Sequence, residues 1–236
     1  MITVCMATYN GEQFVRQQLN SIRDQLQLQD EIIVIDDCSQ DQTVSVIKSL
    51  DDSRIKLISN QVNMGPIASF EKALNLAHGD YIFLADQDDV WLPNKVATVM
   101  DYLEHGKIDL VVHDAKVVDG NLNLICKSWN KYNHNHFGKY WILTLIKNPF
   151  TGANMAFNRK VLRKCTPFPA NVPMHDWWVG ATSQKSGYNI KVIKQCLMLY
   201  RRHSTNVTGN GHRLRQMVMN RYHFLVAMGG YSSGHN

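Results

Sequence analysis

The sequence predicts a single α/β domain with a central, mainly parallel sheet flanked by helices. Short β-branched runs alternate with segments of helical period through the first half of the chain, which is the pattern of a parallel sheet covered on both faces. With 236 residues and 44% hydrophobic composition, the chain is long enough to bury one core. No internal repeat and no Pro/Gly/Ser-rich linker divides it.

Five predicted strands alternate with four predicted helices. The strands are Ile2–Met6, Ile32–Ile35, Ile55–Ser59, Tyr81–Ala85 and Leu110–Val112. Apolar residues at helical spacing mark the helices between them, on faces formed by Val15, Leu19, Ile22 and Leu26; by Val44, Ile47 and Leu50; by Ile67, Phe70, Leu74 and Ala77; and by Val96, Met100 and Leu103. We expect Ser39 to cap the second helix, Gly79 to close the third and Pro93 to begin the fourth. From about residue 120 the periodicity weakens, and we expect this part to complete the same domain.

Composition and missing motifs exclude several classes of protein. The longest apolar run, residues 140–146, is far shorter than the ~18 residues that a membrane-spanning helix needs. The first residues lack the basic region and cleavage site of a signal peptide, so we expect a cytoplasmic protein whose five scattered cysteines are reduced. Neither GxGxxG after the first strand nor a P-loop nor GxSxG occurs, which excludes dinucleotide dehydrogenases, P-loop kinases and the commonest esterases.

The charge distribution is uneven along the chain. Residues 177–236 carry eight Lys/Arg and no acid, a net charge of +8, whereas the first 176 residues sum to −3. A substrate pyrophosphate, lipid headgroups or nucleic acid could each meet such a basic segment. A solvated basic surface is the simpler alternative.

Polar residues follow the predicted strands, at the edge where ligands bind in open parallel sheets. The strands run into Ala7-Thr8-Tyr9-Asn10, Asp36-Asp37-Cys38-Ser39, residues 60–65 and Asp86-Gln87-Asp88-Asp89. The Asp-x-Asp pair supplies oxygen ligands suited to Mn²⁺ or Mg²⁺, which share their coordination with water and substrate phosphate. The alternative is that Asp88 or Asp89 only caps the helix near Pro93.

Five motifs in register resemble glycosyltransferase family 2. They are residues 4–10, residues 33–39, Asn63-Met64-Gly65, residues 79–91 and His175-Asp176-Trp177-Trp178. The last motif and residues 200–207 look most like bacterial rhamnosyltransferase-type enzymes of surface-polysaccharide assembly. The resemblance implies a GT-A fold over residues 1–212, with a nucleotide-binding half at about 1–115 and an acceptor half at about 116–212. It also implies inverting transfer from a UDP- or dTDP-linked sugar, dTDP-rhamnose among them, to a saccharide hydroxyl.

The resemblance assigns roles to individual residues. Asp176 matches the general base, which takes the proton of the acceptor hydroxyl. The metal ion would be held by Asp86, Asp88 and His203, and the nucleotide by Ala7, Thr8, Tyr9, Asp37, Asn63, Gly65 and Asp86. Within this pocket the Tyr9 ring would lie against the base and Asp37 would accept the imide proton of uracil or thymine. Donor or acceptor contacts would come from Gly152, Asn154, His175, Trp177, Trp178 and Arg202.

Several of these roles have simpler alternatives. Adjacent tryptophans such as Trp177 and Trp178 are as often core packing as a sugar-binding wall. Residues 151–154 form an ordinary turn as readily as a donor loop, and a lone histidine such as His203 is more often a hydrogen-bonded surface residue. His175 stands where an acidic residue often precedes the base, which leaves the acceptor class open.

The final segment, residues 213–236, is predicted to be a basic amphipathic helix followed by a frayed tail. It could lie on a membrane surface and bring the enzyme to a lipid-linked acceptor, or it could dock against its own domain. Two competing functions remain. A sugar nucleotidyltransferase would want a Gly-rich, basic loop after the first strand, where the chain has Ala7-Thr8-Tyr9-Asn10. A non-catalytic saccharide or nucleic-acid binder leaves the acidic strand ends unexplained, so we expect no nucleic-acid partner.

Overall fold

The computed structural model describes residues 1–203 and 214–231, and the strands in this part of the chain form one nine-stranded sheet. The strands are β1 (Ile2–Thr8), β2 (Glu31–Asp36), β3 (Ile55–Ser59), β4 (Tyr81–Asp86), β5 (Val90–Trp91), β6 (Leu110–Val118), β7 (Leu124–Cys126), β8 (Met155–Asn158) and β9 (Ile190–Arg201). The α-helices are α1 (Val15–Arg23), α2 (Thr43–Lys48), α3 (Pro66–Leu76), α4 (Lys95–His105), α5 (Trp129–Tyr132), α6 (Arg159–Cys165), α7 (His175–Lys185) and α8 (Leu214–Gly230). Short 3₁₀ turns occupy Trp141–Leu145 and Gly152–Asn154.

The sheet order is β3-β2-β1-β4-β8-β6-β9-β5, with β7 beside β6. Strands β1 to β4 pair in parallel, and β6 pairs in parallel with β9. Strand β8 is antiparallel to both β4 and β6 and joins the two halves. The predicted α/β domain with a mainly parallel sheet between helices is therefore confirmed.

The core has two layers because alternate residues of each strand point to opposite faces. Val4 and Met6 of β1 pack with Leu19 of α1 on one face. Cys5 of the same strand packs on the other face, with Phe70 of α3 and Trp178 of α7. The helices on both faces thus bury the sheet that positions the strand-end loops.

Several predicted element boundaries need correction. Helix α3 ends at Leu76, with Ala77 as its C-cap, rather than at Gly79. Helix α4 begins at Lys95 rather than Pro93, because the chain first turns and the Lys95 amide donates to Leu92 O at 3.0 Å. Helix α2 begins at Thr43, because Ser39 Oγ bonds Asp36 Oδ1 at 2.6 Å instead of capping a helix. Strand β6 continues to Val118. The five predicted strands are confirmed, whereas β5, β7, β8 and β9 were not predicted.

Helix α8 docks against the domain along one face and exposes the other. Phe224 and Met228 are fully buried, whereas Val218 and Tyr222 are 61% and 59% exposed. The segment therefore docks against its own domain, and its contact with a membrane stays a prediction. Arg213 and residues 232–236 of the predicted helix and tail lie outside the described residues. Among the described helices, none is long and apolar enough to cross a membrane.

Candidate active site

The loops after β1, β2 and β4 meet at one edge of the sheet, as the sequence predicts. Strand β1 lies between its two neighbours, with Thr8 opposite Asp36 and Ala7 opposite Asp86. The Asp37 amide continues the ladder by donating to Thr8 O at 2.8 Å. This register brings the polar segments that follow the three strands side by side.

Asp37 organises the loop after β3. Its carboxylate is 3% exposed and accepts hydrogen bonds from Asn60 Nδ2 at 2.8 Å, Met64 N at 2.8 Å and Gly65 N at 2.7 Å. Gly65 has a φ of +82°, which favours glycine there, and Asn63 Oδ1 accepts from its amide at 3.2 Å. The three internal bonds give Asp37 a structural role that the sequence did not reveal. Its contact with a nucleotide base stays a prediction.

Gln87 holds the end of β1 in place, a role that the sequence analysis did not assign. Its side chain accepts from Tyr9 N at 2.9 Å and donates to Tyr9 O at 3.0 Å. A Cβ on Gly11 would clash with the amide end of the Gln87 side chain, so glycine leaves room for Gln87 to hold this position. The Tyr9 ring is left 45% exposed, in a position to stack on a ligand.

The loop after β4 concentrates negative charge. Asp86 is partly exposed, but the protein packed around it and the charges of Asp88 and Asp176 raise its pKa to about 7. Burial and the charges of Asp88 and Asp86 likewise raise the pKa of Asp89 well above its usual range. A cation bound at this loop would relieve the repulsion between these carboxylates.

Asp88 faces His203, with 2.7 Å between Asp88 Oδ2 and His203 Nε2. Among the described residues, no three His, Cys, Asp or Glu side chains form a closed metal-binding group. A closed group is not required, because Mn²⁺ or Mg²⁺ on a diphosphate takes one or two protein ligands and fills its remaining positions with phosphate oxygens and water. The carboxylate of Asp88 and the imidazole of His203 fit that pattern, and Asp86 as a direct ligand stays a prediction.

Arg201, to which the sequence analysis gave no role, supports this loop. Its guanidinium donates to Asp88 O, Gly120 O and Gln17 Oε1, each at 2.6 Å, and lies 4.6 Å from the centroid of the Phe14 ring. Arg201 is 3% exposed, whereas Arg202 is partly exposed. The adjacent arginines are indistinguishable in the sequence, because only the pleat of β9 decides which of them points inward. A donor or acceptor contact for Arg202 stays a prediction.

Asp176 lies in the first turn of α7 and is 5% exposed. Its carboxylate accepts from Trp177 N at 2.6 Å, Gly152 N at 3.2 Å and Asn148 Nδ2 at 3.2 Å. Burial raises its pKa to about 6, against the lowering effect of these hydrogen bonds. The charge of Asp176 also acts on Asp86, so the two carboxylates lie within electrostatic reach of each other.

The two tryptophans after Asp176 are core residues, which corrects the prediction of a sugar-binding wall. Trp178 is 1% exposed and donates from Nε1 to Cys165 O at 2.8 Å. Trp177 is 6% exposed, stacks on Phe224 at 3.9 Å and donates to Thr144 Oγ1. Neither ring has a free face for a sugar.

His175 and the turn at Gly152–Asn154 lie close together beside Asp176. The His175 ring is buried and stacks on Phe70 with 4.1 Å between centroids, and burial lowers its pKa to about 4. A Cβ on Gly152 would lie 2.7 Å from His175 Nε2. Asn154 is 1% exposed, and its Oδ1 has no hydrogen-bond partner among the described residues. Gly152 thus supports the carboxylate, whereas sugar contacts from these residues stay predictions.

The chain resembles proteins of known class over most of its length. The family model for glycosyl transferase family 2 matches residues 3–166. An uncharacterized glycosyltransferase of Methanocaldococcus jannaschii, MJ1057, is 30% identical over 210 residues, covering 85% of this chain and 70% of that protein. The dTDP-rhamnosyl transferase RfbG of Shigella flexneri is 24% identical over 220 residues, covering 86% and 73%.

Solved structures share the fold. TarS 1–349 of S. aureus in complex with UDP-GlcNAc matches with a TM-score of 0.70 and 15% identity, over 99% of this chain and 68% of that one. Another crystal structure of TarS 1–349 matches with a TM-score of 0.67 and 18% identity, over 85% of this chain, which spans only 60% of that one. Mannosyltransferase PcManGT of Pyrobaculum calidifontis, in complex with GDP-Man and Mn²⁺, gives 0.65 and 18%, over 98% and 65%. The α/β sheet described above is therefore the GT-A fold.

Proposed function

Because the chain belongs to glycosyltransferase family 2, we propose that it catalyses inverting transfer of a sugar from a nucleoside-diphosphate sugar to a hydroxyl of a saccharide acceptor. The observation that carries this proposal is the convergence of Asp86, Asp88 and Asp176 on one edge of the sheet. The charges of Asp88 and Asp176 both act on Asp86, so the three carboxylates lie within electrostatic reach of one another. This arrangement suits a reaction in which a diphosphate leaves on one side of a sugar and a base acts on the other.

Asp176 is the general base in this proposal. Its carboxylate takes the proton of the acceptor hydroxyl while the acceptor oxygen forms a bond to the anomeric carbon of the donor. The bond from that carbon to the diphosphate breaks on the opposite face, and its electron pair leaves with the phosphate oxygen. One in-line displacement of this kind inverts the anomeric centre. With its pKa raised to about 6, Asp176 is ionised at neutral pH and is a better proton acceptor than an ordinary aspartate.

Asp88 and His203 would hold Mn²⁺ or Mg²⁺ in contact with the donor diphosphate. When bound, such an ion supplies positive charge where the leaving group becomes more negative. The Mn²⁺ and GDP-Man in the PcManGT structure support this assignment. The bonds from Arg201 to Asp88 O and from its amide to Asp89 Oδ1 hold the loop in place for that contact.

The nucleotide would lie across the ends of β1 and β2, with its base on the exposed Tyr9 ring. In this proposal Ala7, Thr8, Asp37, Asn63 and Gly65 would line the nucleotide site, and Asp37 would favour uracil or thymine by accepting their imide proton. The names dTDP-rhamnosyl transferase for RfbG and UDP-GlcNAc for the TarS complex support a dTDP- or UDP-linked donor. Among these donors we propose dTDP-rhamnose, and synthesis of bacterial cell-surface polysaccharide as the setting.

The acceptor half has a surface suited to an anionic membrane, which we call the α8 surface. It consists of exposed apolar and basic side chains of α8 and of the adjoining 3₁₀ turn, namely Ile142, Ile146, Arg215, Val218, Tyr222 and Val226. The two elements are joined by Arg221, which donates to Leu145 O and Ile146 O. From Gly120 onward the sequence has sixteen Lys/Arg and a single acid, the buried Asp176. We propose that this surface contacts anionic lipid headgroups and that the saccharide acceptor is lipid-linked.

Calorimetric binding of UDP and dTDP, with Mn²⁺ or with a chelator, tests the donor site. We expect the unaltered protein to bind these nucleotides only when Mn²⁺ is present. Asp88→Ala should weaken this affinity by about tenfold or more, because a ligand of the ion is lost. Asp80→Ala is the matched control, since Asp80 lies just before β4, at the opposite end of that strand. The proposal would be contradicted if Mn²⁺ did not change the affinity, or if Asp88→Ala and Asp80→Ala changed it equally. Pyrophosphate release from a nucleoside triphosphate and a sugar 1-phosphate would instead favour a nucleotidyltransferase.

A further inference from the structure

Lys95, the first residue of α4, is a fully buried cation behind the acidic loop. Its ammonium donates to Ala153 O at 2.8 Å, lies 3.8 Å from Met198 Sδ and sits 4.1 Å from the centroid of the Trp91 ring. Removing an ammonium ion from water costs several kcal/mol after the protein has relaxed around it. A lysine in this position therefore needs compensating negative charge nearby.

Asp89 and Asp86 are the acids within electrostatic reach of Lys95. Asp89 is 1% exposed, its Oδ1 accepts from Arg201 N at 3.0 Å, and its Oδ2 has no hydrogen-bond partner in the described part of the chain. Burial lowers the pKa of Lys95 to about 7, while the charges of Asp89 and Asp86 act in the opposite direction. The attraction is mutual, because the Lys95 charge also opposes the upward shifts of both carboxylates.

The hydrogen bond to Ala153 connects this charge cluster to the other half of the site. Ala153 belongs to the Gly152–Asn154 turn, whose Gly152 amide donates to Asp176 Oδ2 at 3.2 Å. A single buried side chain thus contacts the segment that supports Asp176 and lies within electrostatic reach of the acids after β4.

We propose that Lys95 is a positioning residue, which balances the charge of Asp86 and Asp89 and, through the Ala153 carbonyl, fixes the distance between the acidic loop and Asp176. This inference rests on the proposed function, because it takes the acidic loop as the diphosphate site and Asp176 as the base. Lys95 itself is buried and does not touch a substrate. It acts on the reaction only indirectly, by balancing the charge of Asp86 and Asp89 and by holding the Ala153 carbonyl in place.

The proposal predicts opposite effects of Lys95→Met on catalysis and on cation binding. Methionine has a similar length and no charge, so the site gains net negative charge while the Ala153 carbonyl loses its donor. We expect kcat to fall about 10- to 100-fold, because small displacements of a base are costly, with the donor KM changed less than about threefold. We expect Mn²⁺, titrated calorimetrically in the presence of UDP, to bind roughly three- to tenfold more tightly.

Lys48→Met, on the exposed surface of α2, is the matched control and should change neither quantity. Unchanged kcat and unchanged Mn²⁺ affinity in Lys95→Met would overturn the proposal. Weaker Mn²⁺ binding together with lost activity would also overturn it, because a merely structural lysine gives that result. If the unaltered protein neither binds UDP with Mn²⁺ nor transfers sugar, the proposed function itself fails. The two failures are therefore distinguishable.

A second variant keeps the test decisive if Lys95→Met does not fold. Asp89→Asn removes the buried carboxylate whose charge Lys95 balances, without changing the size of the side chain. Replacing both members of a buried charge pair is far less damaging than removing one of them. The double variant Lys95→Met/Asp89→Asn should therefore fold where Lys95→Met alone does not, and should show a cooperative unfolding transition in urea. A double variant that is no more stable than the single one would overturn the charge-balancing role.

Discussion

The carboxylates of the site differ in what surrounds them rather than in where they stand in the sequence. Asp37 accepts hydrogen bonds from two backbone amides and one side-chain amide, and these bonds hold the loop after β3 in place. Asp176 also accepts three hydrogen bonds, but burial outweighs them and its pKa rises to about 6. The same residue type thus organises a loop at one position and is poised to accept a proton at the other.

The pH dependence of transfer should report the ionisation of Asp176. A base works only when deprotonated, so kcat/KM should fall as the pH drops through about 6. Asn148 Nδ2 donates to Asp176 Oδ1 at 3.2 Å and stabilises the charged form. Asn148→Ala should therefore move the acidic limb of the profile to higher pH, by roughly half a unit to one unit for one charge-assisted hydrogen bond.

Asn121→Ala, in the exposed turn after β6, should leave the profile unchanged and serves as the control. A limb that stays in place in Asn148→Ala, or that moves to lower pH, would show that another group limits the rate.

At the scale of elements, the sequence was sufficient to predict a strand or helix that is long enough to show its own periodic spacing of apolar residues. Strand β3 runs from Ile55 to Ser59 as predicted, and α3 presents Phe70 and Leu74 to the core. Strand β5 has only two residues and β8 only four, too few to show a period of two. In β9 only part of the strand alternates, because its neighbours change along its length and both Leu197 and Met198 are buried.

The proposed contact of the α8 surface with anionic lipid can be tested on this element alone. The unaltered protein should bind vesicles containing phosphatidylglycerol and not vesicles of pure phosphatidylcholine, and binding should weaken with salt. Val218→Asp should reduce the bound fraction in a flotation assay about tenfold, because a charge replaces an apolar contact at the lipid surface. Leu28→Asp is the matched control, since Leu28 is 91% exposed in the loop between α1 and β2.

Equal loss of vesicle binding in the Val218 and Leu28 variants would contradict a specific lipid surface. A concentration-dependent dimer that Val218→Asp dissociates would also contradict the lipid surface, because α8 would then contact a second copy of the chain.

Across the whole molecule, the sequence predicted where the site lies better than how it is supported. The carboxyl ends of parallel strands share an edge, so the positions of Asp37, Asp86 and Asp88 followed from the order of the elements. Arg201 did not follow, because it reaches the acidic loop from 113 residues further along the chain. Lys95 is close to the loop in sequence, but nothing in the sequence pattern showed that its side chain is buried. The core positions of Trp177 and Trp178 were equally hidden, since α7 is buried around most of its circumference and shows no polar face.

In the proposed reaction two separate groups act: the acidic loop receives the donor, and Asp176 takes the proton of the acceptor. The most direct test measures both properties in Asp176→Asn, a substitution that preserves the size of the side chain and removes its ability to take a proton. Mn²⁺-dependent affinity for UDP or dTDP should stay within about threefold of the unaltered protein, whereas sugar transfer should fall about 10²- to 10⁴-fold. Undiminished turnover in this variant would contradict the account.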